Sequence, residues 1–319
     1  MGFYSKSFED IKAARPYIKE ETIKDYLRNI RKISRELFKS EKPSICYFID
    51  YDSIVEYMNE MPNPFSRKTM CTSILVLLSS CKDFSKDIKI KYRKYHKGLA
   101  SLHNTIYNEN VKSAKEETNW ITREETLDLI QKLKEKIDLG KLTPRQKVDT
   151  YQQYLVLNLY TQLPPVRNDY VDVKIISGKD SFDEDKIDTA YNYINFSNNT
   201  LYMCNYKTAK FYGNQKINIP DSLMVIIKEY EKIKKEIFNY SGPFMLINTT
   251  NKTQMNTNTL TKYINKIYFP KKVSTTILRK VYLSEKYPIT HSMSEMQADA
   301  ACMGHNVAIA RQIYTKKLS

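Results

Sequence analysis

Glycine is scarce in this chain, seven residues in 319, and none falls in a Gly-rich loop of the kind that cradles a nucleotide phosphate. No carboxylate cluster of metal-binding type accompanies them. The five cysteines, at positions 46, 71, 81, 204 and 302, are scattered without a C-x-x-C pair, so neither a zinc pattern nor a disulfide framework is present. Long apolar runs are missing too. The longest, Ile74-Leu75-Val76-Leu77-Leu78, is far too short to span a bilayer, and the opening residues do not read as a signal peptide. Internal repeats and low-complexity segments are absent. A soluble intracellular protein of a reducing compartment, with no membrane partner, is the expectation.

What the chain has in excess is positive charge. Its 51 Lys and Arg against 36 Asp and Glu give a formal charge of +15 and a pI near 9.3. That is the electrostatic footprint of a polyanion binder, and a membrane surface would attract it as well as DNA would.

Length and pattern suggest two domains. In the first, residues 1–108, Ile23, Leu27, Ile30, Ile33 and Leu37 recur at helical steps, and Met70 to Leu78 reads as a second, more buried helix. From Lys82 to Lys97 basic residues dominate. Lys89, Lys91, Arg93, Lys94 and Lys97 are expected to track phosphates, with Tyr92 and Tyr95 interleaved to cover sugars; a solvated helix face is the plainer alternative. Residues 109–120 are polar, highly charged and almost without large apolar side chains, as a linker is.

Residues 121–319 form the expected second domain. Thr122 with Glu125 makes a capping box, and Thr143-Pro144-Arg145-Gln146 combines another with proline at the first helical position. After Arg167 the period becomes alternating. Residues 191–196, 200–206 and 215–220 read as three short antiparallel strands, and helical patterns resume at Leu223 to Phe238 and Thr257 to Ile267. Glu295 to Cys302 looks helical, with Ser294 and Gln297 at capping-box spacing and Gly304 as its stop. The fold class is therefore mainly α with a small antiparallel β-sheet, an α+β arrangement.

Five residues stand out in order. Arg167 lies in Thr161-Gln162-Leu163-Pro164-Pro165-Val166-Arg167-Asn168-Asp169-Tyr170, just past the apolar-rich run Tyr154 to Tyr160. Lys207 sits between two strand-like runs, with Lys210 close behind. Arg279 ends Thr276-Ile277-Leu278-Arg279, and a Gly304-His305 pair precedes Tyr314 by nine positions from the histidine. Singly, four of them have a bland reading, as a surface arginine, a solvated turn lysine, a cap on a basic helix and one of 25 tyrosines, while the Gly304-His305 pair is the stronger signal. Jointly and in order, across residues 167 to 314, they resemble the catalytic set of the tyrosine recombinases, the integrase family.

The resemblance implies a helical DNA core-binding domain followed by a recombinase-like catalytic domain, and a site-specific enzyme that cuts and rejoins DNA. Tyr314 would form a 3′-phosphotyrosyl bond, Arg167, Arg279 and His305 would hold the phosphate, and Lys207 would protonate the leaving oxygen. No metal and no cofactor is implied. The partners are double-stranded DNA and, on paired sites, a homo-tetramer, while the charge should keep free protein largely monomeric. Two departures from the family pattern stand out. Thr276 replaces the usual histidine, and Tyr170 takes the place of an acidic residue, leaving Asp169 or Asp172 to orient Arg167. An acidic, polar stretch from Lys179 to Asp188 lengthens the step to Lys207. Among family members, the Pro-Pro-x-Arg-Asn-Asp-Tyr segment and the Asn-, Lys- and Tyr-rich composition look most like integrases of viruses and virophages. The alternatives are a type IB topoisomerase, which shares the residue order, and a DNA-binding protein with a decayed site, which Thr276 favours.

Overall fold

A computed structural model describes residues 2–81, 84–177, 183–287, 294 and 296–317. Lys82 of the basic run, residues 179–182 of the acidic stretch and Glu295 lie outside the described residues. The chain divides into two compact units, Met1–Glu109 and Asn110–Ser319. Among the described residues no helix is long and apolar enough to cross a membrane.

The first unit is helical: α1 (Phe3–Ala14), α2 (Glu20–Glu36), α3 (Tyr51–Glu60), α4 (Pro64–Ser80) and α5 (Lys86–Asn108). The apolar stripe of α2 is buried at Ile23, Leu27, Ile30 and Ile33, as its spacing predicts. Asn63 caps α4 by accepting from the Phe65 amide at 2.9 Å, and Pro64 occupies the first helical position, where a missing N–H costs nothing. Most of α4 is buried, including Met70, Cys71, Ile74, Val76, Leu77 and Leu78.

The basic helix α5 corrects one expectation. Lys91, Arg93, Lys94 and Lys97 are exposed, but Tyr92 is fully buried and its hydroxyl donates to the Phe48 carbonyl at 3.2 Å. The ring belongs to the core with Ile88 and Leu99, four and seven residues away on the same helix face, so it is not available to cover a sugar. Tyr95 is half-buried and donates to Asn59 at 2.8 Å, and Lys89 reaches the Cys81 carbonyl at 3.3 Å.

In the second unit, the stretch expected as a linker holds a short helix, α6 (Ala114–Asn119), with its own capping box between Ser113 and Glu116. Glu116 also pairs with Lys280. Both expected capping boxes are present, starting α7 (Arg123–Asp138) and α8 (Pro144–Gln162). Helix α8 is buried nearly all round, from Val148 through Leu155 and Leu159 to Tyr160, which is why it shows no clear polar face.

The sheet runs in the order β1 (Val173–Ile176), β2 (Asn192–Asn195), β3 (Thr200–Met203) and β4 (Gln215–Asn218). The three expected strands pair antiparallel, with Ile194 opposite Leu201 and Leu201 opposite Ile217. β1 adds a fourth that runs parallel to β2, so the sheet is mixed and not purely antiparallel. Between β3 and β4 lies a single helical turn, α9 (Ala209–Tyr212). Then come α10 (Asp221–Phe238), the small ribbon β5 (Ile247–Asn248) with β6 (Thr253–Gln254), α11 (Thr257–Ile267), α12 (Thr275–Lys286), α13 (Gln297–Cys302) and α14 (Val307–Ile309). The chain widens after α14 into a π-turn, Ala310–Tyr314. α13 starts later than its pattern suggests. Met296 precedes its first turn without a side-chain cap, and the Ser294 carbonyl accepts from the Gln297 amide at 3.3 Å.

If Tyr92 is core, Tyr92→Phe removes only the bond to Phe48. Urea unfolding should then show a loss of about 1 kcal/mol. Unchanged stability would contradict the core role of this hydroxyl.

Candidate active site

Arg279, His305 and Tyr314 meet in direct contact. Arg279 lies in the middle of α12 and is fully buried, an unusual place for a guanidinium. Its Nη1 donates to the Tyr314 hydroxyl at 2.7 Å and its Nη2 to the Met303 carbonyl at 2.9 Å. The guanidinium carbon also sits 4.3 Å from the centre of the Tyr314 ring. On that ring His305 stacks, with centroids 4.9 Å apart and planes 14° from parallel.

His305 owes its position to the way α13 ends. Gly304 takes the left-handed conformation, φ 70°, its amide bonds to the Ala301 carbonyl, and the His305 amide bonds to that of Ala300. These two bonds make a Schellman stop. Gly304 is also pressed by the turn after β3. A Cβ there would lie 2.8 Å from Thr208 Oγ1 and 3.0 Å from the Tyr206 ring, while Thr208 donates to the Gly304 carbonyl at 2.5 Å. Only glycine suits both conditions.

The Arg167 loop is held from two sides. Tyr160, at the end of α8, donates to the Arg167 carbonyl at 2.8 Å, and Asp169 Oδ2 accepts from the Arg167 amide at 3.1 Å. Asn192 supplies the second hold. Fully buried, it donates to the carbonyls of Asp169 (3.1 Å) and Asn205 (3.0 Å) and accepts from the amides of Cys204 (2.9 Å) and Asn205 (2.8 Å). One side chain thus ties the loop carrying Arg167 to the turn carrying Lys207. Sequence reasoning missed this residue, because an asparagine at a strand start carries no sign of its burial. Of the two acids beside Tyr170, Asp172 is engaged by Asn205 (3.3 Å) and Gln254 (3.0 Å), which leaves Asp169 facing Arg167. Burial pushes the Asp169 carboxyl above its ordinary range, against the opposing pull of Arg167.

The other expected residues stand further apart. Arg167 is half-buried, and among the described residues its guanidinium makes no hydrogen bond or ion pair. Lys207 is exposed in the turn, next to Thr208, and Lys210 lies over the Phe211 ring, which is 72 % exposed. Thr276 is exposed in the first turn of α12, three residues before Arg279.

Among the described residues several buried polar atoms here find no partner: Arg279 Nε, both ring nitrogens of His305, and the Tyr170 hydroxyl. Burial, reinforced by Arg279 and Arg167, holds the His305 imidazole down at about 4, so the ring is neutral at pH 7. Burial likewise lowers Arg279 to about 10, still a cation at neutral pH. The two neighbouring tyrosines are in the opposite situation. Tyr282 and Tyr287 both donate to the Asp299 carboxylate, at 3.0 and 2.8 Å, and Lys286 pairs with the same acid. Burial and that carboxylate push the Tyr287 phenol up to about 12 and Tyr282 higher. Of the three phenols, Tyr314 alone has a guanidinium donating to its oxygen. Among the described residues no group of three His, Cys, Asp or Glu side chains is placed to hold a metal ion.

No family profile matches the sequence, and no curated protein matches it. Among solved structures, that of XerA recombinase aligns over 99 % of this chain and 94 % of its own, at 12 % identity and a TM-score of 0.42. A likeness at that level carries no argument here.

His305 gives a pH test. Its proton affinity is lower folded than unfolded, so between about 4 and 6.5 the unfolded chain binds the extra proton and stability falls as the pH is lowered through that window. Wild type should lose roughly 3 kcal/mol more than His305→Gln between pH 7 and 4. Parallel pH profiles of the two proteins in urea unfolding would contradict the neutral, buried imidazole.

Proposed function

We propose that this protein is a tyrosine recombinase, cutting and rejoining double-stranded DNA through a 3′-phosphotyrosyl intermediate. The observation that carries the reading is a buried cation left short of partners. Lys234, in the same unit and equally buried, shows what a structural buried cation looks like: its ammonium meets Glu231 at 2.6 Å and the carbonyls of Phe244 and Met245 at 2.7 and 3.0 Å. Arg279 has no carboxylate within ion-pair distance among the described residues, an idle Nε, and beside it a histidine with two idle nitrogens. Burying an ion costs several kcal/mol, and each charge-assisted hydrogen bond that a donor forgoes is about 1.5–3 kcal/mol left unused. A phosphodiester is an anion of suitable shape for a forked guanidinium and a ring N–H.

In this reading Arg167, Arg279 and His305 bind the non-bridging oxygens and stabilise the charge of the pentavalent transition state, each donor worth roughly 3 to 4 kcal/mol. Tyr314 attacks phosphorus, the bond to the 5′ oxygen breaks, and Lys207 gives that oxygen its proton. The hydroxyl proton of Tyr314 passes to water, and Arg279, donating to the phenol oxygen, steadies the negative charge that builds there. The phosphotyrosyl bond conserves the energy of the broken linkage, so a 5′ hydroxyl from another strand can reverse the step. No cofactor enters this scheme.

The finer assignments follow the same reading. Residues 1–108 serve as the DNA core-binding domain, with the exposed Lys91, Arg93, Lys94 and Lys97 of α5 on phosphates, residues 109–120 as the joint and residues 121–319 as the catalytic domain. The active unit is a tetramer on paired sites, and the reaction integrates a viral or other mobile element. A DNA-binding protein with a decayed site is the second reading, favoured by the exposed Thr276 where a histidine is usual.

A substrate with sulfur in place of the leaving 5′ oxygen needs no proton donor. Lys207→Ala should therefore be inactive on ordinary DNA and regain cleavage on the sulfur substrate, while Arg167→Ala regains none. Rescue of Lys210→Ala instead would move the acid by three positions. Failure of wild type to cleave either substrate would favour the binding-only reading.

A further inference from the structure

We infer that Asn110 is a positioning residue for Tyr314, an inference that rests on the reading of Tyr314 as nucleophile. The end of a helical segment leaves carbonyls without intrahelical partners. Here the segment is the π-turn Ala310–Tyr314, and its last carbonyls point at the first residue of the second unit. With its carboxamide nitrogen turned toward them, Asn110 donates into the carbonyls of Gln312 and Thr315 at 3.0 Å and lies 3.2 Å from that of Arg311. Its own carbonyl accepts from the Lys317 amide at 3.0 Å. To present both groups the residue adopts φ 53°, a left-handed conformation that asparagine tolerates better than most side chains.

Ser284, buried on α12, completes the hold. Its hydroxyl donates to the Tyr314 carbonyl at 3.3 Å and accepts from the Lys316 amide at 2.7 Å. Arg279 fixes the phenol from the same helix, five residues earlier. The backbone carrying the nucleophile is thus bonded at residues 311, 312, 314, 315, 316 and 317 by two side chains and one carbonyl. Neither Asn110 nor Ser284 touches the phenol oxygen. Their effect is on where it sits, and a misplacement of about 1 Å at a reacting atom costs on the order of a hundredfold in rate.

Two substitutions separate this role from a need for the backbone angle alone. Asn110→Gly accepts positive φ freely but has no donor. Asn110→Asp tolerates the same φ and turns a carboxylate toward three carbonyl oxygens. Full-length proteins are compared for adduct formation on a nicked suicide substrate at saturating protein, and separately for DNA affinity. Positioning predicts a roughly ten- to hundredfold slower adduct rate for Asn110→Gly, a loss at least as large for Asn110→Asp, and unchanged affinity for both. Both variants cleaving at the wild-type rate would overturn the inference. So would a loss of affinity that accounts for the whole loss of rate. Should either variant fold poorly, hydrogen exchange on wild type decides: the Lys317 amide is slow if Asn110 holds it, and fast exchange contradicts the clamp. Tyr314→Phe runs alongside. If that variant still forms the adduct, the nucleophile itself has been misassigned; if it forms none and the Asn110 variants match wild type, only the clamp is wrong.

Discussion

A buried guanidinium that meets no carboxylate within ion-pair distance among the described residues is the constraint around which the second unit is arranged. Arg279 is covered completely, and its two satisfied hydrogen bonds go to the two segments that matter most to the site: the Met303 carbonyl before the Gly304 stop, and the Tyr314 hydroxyl. Low dielectric makes those bonds strong and makes the missing partners costly. The charge therefore ties the Met303 and Tyr314 segments to α12.

The other parts of the site are joined by side chains that carry no charge. Asn192 links the Arg167 loop to the turn before Lys207, and Thr208 links that turn to Gly304 and so to His305. A chain of short polar contacts thus runs from the end of α8, through the sheet, to α13. Of the five residues read in order, Lys207 is the exposed one, on a turn with an exposed Phe211.

Much of the fold was legible because caps and periods are local. Thr122, Thr143 and Pro144 mark helix starts whose geometry depends on four neighbouring residues, and Gly304 marks a stop by its lack of a side chain. β1 was missed because four residues with a parallel partner nineteen positions away carry no hairpin signal. Tyr92 was misread because the charge around it hid the four- and seven-residue spacing to Ile88 and Leu99 that marks a core face. Within the site, the order Arg167, Lys207, Arg279, His305, Tyr314 could be read, but its assembly could not. Nothing local tells that Arg279 is buried, that His305 stacks on Tyr314, or that Asn192 and Asn110 each hold two distant segments together.

The central claim is that the Tyr314 oxygen becomes bonded to DNA. The direct measurement is to trap the wild-type protein on a suicide duplex, digest both components, and sequence the nucleotide-bearing peptide by mass spectrometry. The account predicts a single modified peptide with a 3′-phosphate linked to Tyr314. A phosphate on Tyr282 or Tyr287, or a duplex bound tightly with no covalent product, would contradict it.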